Sequence, residues 1–259
     1  MQLTANQQQN IKNVLRNSLR HKFNSYKPEP AVMPFHTRLL GKDRMALFSF
    51  IHSLNTNFGT SIFEPVALAL ANENFIFSAS QQTSGNFIYT GALQVIQEIM
   101  DDLSIAKTLP KKEDEILRIR EVCQQGLKRE VKPTKVDLKL IDNNDKIYLI
   151  DLKTAKPNAG EFKGFKRTLL EWAAVTFAEN PTADIETLIA IPYNPYEPKP
   201  YSRWTMRGMI DIDIELKVAS EFWDFLGGSG AYEDLLTIFE EIGIELRPEI
   251  DAYFAKFVK

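Results

Sequence analysis

The sequence feature that most constrains the fold is a pair of short β-prone runs separated by four turn-forming residues. Val136–Ile141 and Lys146–Leu152 are rich in Val, Ile and Leu, and the sequence Asp-Asn-Asn-Asp at 142–145 stands between them. Asp and Asn favour tight turns because their side chains hydrogen-bond nearby backbone groups and tolerate left-handed conformations. The pattern therefore predicts an antiparallel β-hairpin.

The register of this hairpin would bring two carboxylates together. A three-residue loop after Asp142 pairs that residue with Lys146, and counting back then places Asp137 directly opposite Asp151. The Cβ atoms of such a pair lie about 4.5–5.5 Å apart. Carboxylates at this separation repel each other unless a cation lies between them. Lys153 follows on the same face of the strand, because side chains alternate along it.

A plain hairpin with surface charges is the alternative interpretation, since an acidic residue followed two positions later by lysine occurs at six places in the chain. Asp151 differs from the other five because it ends the apolar run Ile147–Ile150 and has Asp137 as a partner. Two carboxylates can hold Mg²⁺, and a neighbouring lysine can offset charge that develops on a reacting phosphate. The residues therefore favour metal-assisted hydrolysis of a phosphodiester.

Composition excludes several classes of protein. Apolar residues make up 44% of the 259 residues and charged residues 25%, which is not typical of a disordered chain, a collagen-like fibre or a coiled-coil rod. The single cysteine, Cys123, cannot form an internal disulfide or a cysteine-rich zinc site. No apolar run approaches the roughly 20 residues that span a bilayer, and the N-terminal residues lack a secretory signal. We expect a soluble, cytoplasmic protein with no membrane partner.

The net charge of −3 conceals an uneven distribution. Met209–Lys259 holds twelve acidic and four basic residues, so the rest of the chain has a net charge of +5. Leu127–Lys139 and Asp151–Leu170 each hold five basic and two acidic residues. A solvated basic face is one interpretation of these two segments, and a surface for nucleic acid is the other.

The spacing of apolar residues predicts helices before and after the hairpin. They are expected at Thr4–Phe23, Asp43–Leu54, Glu64–Ala71, Ala92–Leu103, Glu113–Gln125, Glu161–Glu179, Ser220–Leu226, Tyr232–Ile242 and Pro248–Val258. Further strands are expected at Thr187–Ile191 and within Met206–Val218. This order predicts an α/β fold with a mixed sheet of about five strands, helices on both faces and a helical N-terminal layer.

The hairpin also resembles a known motif. Val136-Asp137, thirteen intervening residues and Asp151-Leu152-Lys153 are similar to the bipartite motif of the PD-(D/E)xK nuclease superfamily, although Lys135-Val136 replaces the usual proline. Phe58–Glu64 resembles the helix that supplies a further glutamate in many type II restriction endonucleases. Arg207-Gly208 and Glu221–Leu226 resemble the C-terminal half of the TdeIII-type family, whose members read GGNCC-like sites.

This resemblance implies a restriction-endonuclease-like core that cleaves double-stranded DNA at a short palindrome as a Mg²⁺-dependent homodimer, paired functionally with a DNA methyltransferase. Asp137 and Asp151, with the Leu152 carbonyl as a further ligand, would hold Mg²⁺. Lys153 would position the attacking water, and Glu64 would assist the metal shell. A repair or recombination nuclease with little sequence preference, and a non-catalytic DNA-binding protein, stay open as alternatives.

Residues outside the motif are candidates for DNA contact. Three lie on one face of the predicted helix 161–179, two lie in the loop after the second strand of the hairpin, and two arginines flank Trp204. Arginine is the commonest reader of guanine in the major groove, and structural ion pairs are the alternative interpretation. The predicted DNA-binding residues are Lys156, Asn158, Lys163, Lys166, Arg167, Arg203 and Arg207. We expect one domain over 1–259, with a helical part at 1–56, a nuclease core at 57–226 and C-terminal helices at 227–259.

Overall fold

The structure is a computed structural model that describes residues 2–26, 33–153, 156–157, 159–202, 206 and 208–257. Its helices are α1 (Ala5–Ser25), α2 (Pro34–Leu40), α3 (Lys42–Phe58), α4 (Glu64–Ala71), α5 (Thr90–Ser104), α6 (Lys112–Glu121), α7 (Phe162–Glu179), α8 (Ser220–Gly227), α9 (Ala231–Glu245) and α10 (Arg247–Phe254). Its strands are β1 (Phe77–Thr83), β2 (Phe87–Tyr89), β3 (Lys128–Glu130), β4 (Lys135–Ile141), β5 (Ile147–Leu152), β6 (Ile185–Ile191) and β7 (Leu216–Val218). Short π-helical and 3₁₀ turns occur at Gly59–Phe63, Ala159–Glu161 and Ala255–Phe257.

Five strands form one mixed sheet in the order β1-β4-β5-β6-β7. The pairs β1–β4 and β4–β5 are antiparallel, whereas β5–β6 and β6–β7 are parallel. One apolar cluster packs α5, α6 and α7 onto the sheet, and a second packs α1, α4, α8 and α9. The predicted α/β fold with a five-stranded mixed sheet and flanking helices is therefore confirmed. The strands β2 and β3 form a separate two-stranded ribbon.

The predicted hairpin is formed by β4 and β5, and it has the predicted register. The backbone N–H of Asp142 donates to the Lys146 carbonyl over 3.1 Å, and Leu138 lies opposite Ile150. The Asp142 side chain closes the turn, because its Oδ1 accepts the Lys146 N–H at 3.0 Å. Asp145 adopts a left-handed φ of 64°, which Asp tolerates better than most residues.

Several parts of the chain differ from the expectation, and among them α2, β2 and β3 were not predicted. Phe77–Thr83 was not predicted as a strand, because FSASQQT lacks alternating apolar residues; it forms the edge strand β1 by pairing with β4. Among the described residues of the segment Met206–Val218, only Leu216–Val218 form a strand. The residues just before it turn instead, with the backbone N–H of Glu215 bonded to the Asp211 carbonyl.

The acidic C-terminal helices are held against α1 by ion pairs. Lys12, Arg16 and Arg20 lie four residues apart on α1, and each contacts a glutamate at 2.7 Å. Their partners are Glu241, Glu245 and Glu249. Part of the negative charge near the C-terminus is thus neutralised within the chain. No helix in the described part of the chain is long and apolar enough to cross a membrane.

The prediction that Lys166 contacts DNA was wrong, because this lysine is fully buried. Its Nζ lies 2.6 Å from Glu215 and 2.5 Å from Glu115. Lys112, also buried, contacts Glu215 at 2.9 Å. These four residues form a buried ionic cluster that joins α6, α7 and the segment before β7. The prediction used helical spacing, which groups Lys166 with surface cations. It could not show the acidic partners of Lys166, because they come from distant parts of the chain.

Replacing Lys166 should therefore affect stability. In Lys166→Met, Glu115 and Glu215 stay buried beside only one cation, which we expect to reduce the free energy of unfolding by about 3–5 kcal/mol. Lys163→Met is the matched control, because Lys163 is exposed on the same helix; its effect should stay within about 0.5 kcal/mol. Urea denaturation measures both, and equal effects would contradict the assignment of Lys166 to the core.

Candidate active site

The candidate site lies where β4 and β5 separate. Their ladder ends at the Leu138–Ile150 pair, while β4 continues along β1 and β5 continues along β6. Asp137 and Asp151 are the next pair in this register. The Asp137 side chain enters the gap, since its Oδ2 accepts the backbone N–H of Leu152 at 2.8 Å. We call this separation of β4 and β5, with Asp137, Asp151 and Lys153 beside it, the fork. It holds Asp137 against the last residue of β5.

Asp151 and Lys153 form an ion pair at the end of β5. Asp151 is 7% exposed, and the Lys153 Nζ lies 2.5 Å from its Oδ1. The Lys153 Nζ is also 4.8 Å from the centre of the Phe165 ring. The Lys153 backbone N–H donates to the Ala190 carbonyl over 2.9 Å, which extends the parallel ladder with β6. The lysine is thus anchored by its backbone beside the carboxylate pair.

Glu64 lies near Asp137 and comes from α4, in the helical layer formed by α1, α4, α8 and α9. It is the first residue of α4, and the π-helical turn Gly59–Phe63 links α3 to it. Turns of this kind occur frequently at functional sites. Glu64 is 4% exposed. Burial raises the pKa of its carboxyl, the hydrogen bond from Gln81 opposes this rise, and the negative charge of Asp137 adds to it.

Gln81 links two of these carboxylates and was not predicted as a site residue from the sequence. Its Nε2 donates to Glu64 Oε2 at 2.9 Å and approaches Asp137 Oδ1 at 3.3 Å. Gln81 also has a left-handed φ of 53°, which is unusual for a residue within a strand. The pairing of Ser80 with Leu138 puts Gln81 level with Asp137. No local signal reveals this contact, because β1 itself lacks a strand pattern.

The electrostatics of the fork fit a divalent cation. The pKa of Asp151 is raised to about 6, chiefly by burial; Lys153 opposes the rise, and Asp137 adds to it. Within the described residues, no group of three or more His, Cys, Asp or Glu has the arrangement of a metal site. Mg²⁺, however, commonly takes only one or two carboxylates and keeps water and phosphate oxygens as its other ligands. The donor set of Asp137, Asp151 and a backbone carbonyl suits that ion.

A cavity of about 900 Å³ opens onto the fork. Glu64, Asp137 and Lys153 line it, as does Leu152, the residue predicted to offer its carbonyl to a metal. Other lining residues come from the loop after β6 and from α8 and α9, and many are aromatic or aliphatic: Tyr193, Trp223, Tyr232, Leu235, Leu236 and Phe239. Glu64, Asp137 and Lys153 can therefore be reached from this cavity.

The predicted DNA-binding residues fall at different places. Lys156 is exposed and lines the cavity, and Lys163 is exposed on α7. Arg167 donates to Gln97 at 2.7 Å and lies 3.7 Å from Glu171, so part of its hydrogen-bonding capacity is used within the chain. Asn158, Arg203 and Arg207 lie outside the described residues.

A comparison with known families gives a match over most of the chain. A family model described as "Type II restriction endonuclease, HinfI" matches residues 3–243, which include the sheet and every element around the fork. This chain belongs to the HinfI family of type II restriction endonucleases. The match confirms the restriction-endonuclease part of the prediction, whereas the TdeIII-type subtype stays a prediction.

Individual relatives of this chain are also named type II restriction enzymes. The type II restriction enzyme MjaII of Methanocaldococcus jannaschii is 29% identical over 195 residues, which are 71% of this chain and 51% of that protein. This chain therefore spans about half the length of MjaII. HgiCII and HgiEI of Herpetosiphon aurantiacus, also type II restriction enzymes, are each 24% identical over 225 residues. These alignments cover 84% of this chain and 80% and 79% of the two relatives.

The raised pKa of Asp151 gives a pH dependence that can be measured on the metal-free protein. The folded state holds this proton up to pH of about 6, whereas the unfolded chain releases it near 3.8. Asp151 therefore favours folding at low pH, and this contribution is lost as the pH rises through about 6. Carboxyl NMR should give its midpoint near 6, and Asp137→Asn should lower it. Asp145→Asn, in the exposed turn, should leave it unchanged; a wild-type midpoint near 4 would contradict the assignment.

Proposed function

We propose that this chain is a Mg²⁺-dependent type II restriction endonuclease that hydrolyses phosphodiester bonds in double-stranded DNA. The observation that carries the proposal is the fork, which places Asp137 and Lys153 on the wall of one cavity and pairs Lys153 with the buried Asp151. Membership of the HinfI family supports DNA as the substrate. The cytoplasm, where cellular or invading DNA is accessible, is the proposed place of action.

Asp137 and Asp151 would hold the metal, with the Leu152 carbonyl as a further ligand. Such an ion polarises the scissile phosphate and lowers the pKa of a bound water. Two contacts that hold these carboxylates in place support this role: Asp137 accepts the Leu152 N–H, and Asp151 accepts a hydrogen bond from Lys153. Their mutual repulsion, which contributes to the raised pKa of Asp151, would be relieved on binding the cation.

Lys153 would orient the attacking water and offset negative charge on the phosphate. Its ammonium group has three donors, of which one is directed to Asp151 Oδ1. The remaining donors leave it able to contact a water molecule or a phosphate oxygen in the cavity, which it lines. A fixed positive charge in a partly buried site stabilises developing charge more than the same group in water does.

Glu64 and Gln81 would set the geometry on the other side of the metal. Gln81 holds one oxygen of Glu64 and approaches one of Asp137 through a single nitrogen. The other oxygen of Glu64 can then point towards the ion or its water ligands. Both oxygens of Asp137 accept a hydrogen bond, and each has a second lone pair for the ion. Residues that orient metal ligands in this way typically change metal affinity by 10–100-fold when they are removed.

The proposed recognition site is a short palindrome with an unspecified central base pair, GGNCC-like, in line with the resemblance of Arg207-Gly208 and Glu221–Leu226. Since one chain carries one such fork, a homodimer would place one fork at each strand of the symmetric site. A DNA methyltransferase would protect the same sequence in the host. Sequencing the ends of digested plasmid would identify the site, and a non-palindromic site would count against a symmetric dimer.

Loss of Asp151 should remove cleavage while binding persists. Asp151→Asn keeps the shape of the side chain but removes its charge, so the rate of plasmid cleavage should fall at least about a hundredfold. Asp145→Asn makes the same chemical change in the exposed turn of the same hairpin and should cleave as the wild type does. Discrete fragments from the wild type are expected, whereas a smear would favour a nuclease with little sequence preference. Cleavage by Asp151→Asn at the wild-type rate would refute the assignment.

Loss of Gln81 should weaken metal binding. Gln81→Ala should reduce the affinity for Ca²⁺, measured by calorimetry, by about 10–100-fold and raise the Mg²⁺ concentration needed for cleavage. Gln82→Ala is the control, because Gln82 is exposed and donates to the Ser80 carbonyl instead. Gln81→Gly accepts the left-handed φ but also lacks the amide. A wild-type affinity in Gln81→Gly would therefore show that the amide contact is not what matters.

A further inference from the structure

Lys128, Arg129, Lys132 and Lys135 form a row of cations, here called the basic ledge, that leads along the chain to the fork. All four side chains are exposed. Lys128 and Arg129 belong to β3, and Lys135 begins β4 two residues before Asp137. The charge of Lys135 is close enough to lower the pKa of Glu64. The ledge therefore starts at the ribbon of β2 and β3 and ends beside the candidate site.

The cations of the ledge have no acidic partner within the described residues. None of the ion pairs of that part of the chain involves any of the four. The basic residues of α1 differ, because Lys12, Arg16 and Arg20 are each paired with a glutamate. The one acidic residue of the ledge segment, Glu130, is exposed. The ledge thus carries net positive charge that the protein itself does not neutralise.

The backbone of the ledge is fixed to the rest of the fold. Val131 donates to the Asn86 carbonyl over 2.8 Å, and Ser84 donates to the Thr134 carbonyl over the same distance. The Trp172 indole N–H donates to Thr134 Oγ1 at 2.7 Å, which links the ledge to α7. These bonds, together with the β2–β3 ladder, hold the backbone of the segment in place, so little backbone ordering is needed before a ligand binds.

We infer that the basic ledge binds the phosphate backbone of the DNA duplex whose scissile phosphate lies in the fork. This inference rests on the proposed function. An extended segment of eight residues spans roughly 25 Å at most, and duplex DNA presents one phosphate per about 3.4 Å along each strand. Lys128 and Arg129 are consecutive on β3, so their side chains point to opposite faces of the strand. One of them, together with Lys132 and Lys135, can follow a phosphate row, whose charge is the same for every sequence. The ledge therefore supplies affinity and orientation rather than recognition of bases.

Salt dependence of DNA binding tests the inference. The variant Lys128→Gln/Arg129→Gln/Lys132→Gln removes three charges and leaves Lys135, nearest the fork, in place. The logarithm of affinity against the logarithm of salt should then fall less steeply, by about two units, to the same extent on duplexes of unrelated sequence. Affinity at low salt should drop at least about tenfold. The charge-conserving variant Lys128→Arg/Arg129→Lys/Lys132→Arg should retain most of the slope.

The control removes the same charge elsewhere. Lys107→Gln/Lys111→Gln/Arg118→Gln neutralises three exposed cations that face acidic residues, and it should keep the wild-type slope. Thermal unfolding checks that both variants are folded. A wild-type slope in the ledge variant, while the wild type binds and cleaves DNA, would overturn the inference alone. A loss of affinity for one DNA sequence only would also overturn it, since that would indicate contacts with bases. A wild-type protein that binds no duplex would overturn the proposed function together with the inference.

Discussion

The separation of β4 and β5 is the constraint on which the candidate site depends. Each strand finds a second partner, β1 on one side and β6 on the other, so the ladder between them can end without leaving either strand unpaired. The gap that results is closed by a side chain, because Asp137 accepts the N–H of Leu152. The position of Asp137 is thereby coupled to the end of β5, where Asp151 and Lys153 lie.

Charge is arranged differently in the two layers of the fold and on its surface. On the side of α7, Lys112 and Lys166 are buried with Glu115 and Glu215, which joins elements that are distant in sequence. On the side of α1, basic residues pair with the acidic C-terminal helices. Such ion pairs hold elements of the same chain together. The cations of the basic ledge are left over from this pairing, which is why they rather than the α1 cations can attract a polyanion.

The sequence predicted the central part of the site because that part is local. The hairpin and its register follow from strand alternation and from the Asp-Asn-Asn-Asp turn, which operate over fewer than 20 residues. Helix α4 was predicted with the bounds that the structure has, Glu64–Ala71. The edge strand β1 was missed, because its polar residues pair with β4 through the backbone and so show no apolar alternation.

The sequence by itself determined that Asp137 faces Asp151, since a period of two and a three-residue turn leave one register. Tertiary structure alone decided which individual side chains are buried and which residues they contact. Helical spacing placed Lys166 on the same face as Lys163. Lys166 is nevertheless buried, because Glu115 from α6 and Glu215 from the segment before β7 pair with its charge. Gln81 reaches Glu64 and Asp137 because β1 and α4 pack beside β4. Contacts between residues so far apart in the chain leave no periodic signal, and only the packed fold shows them.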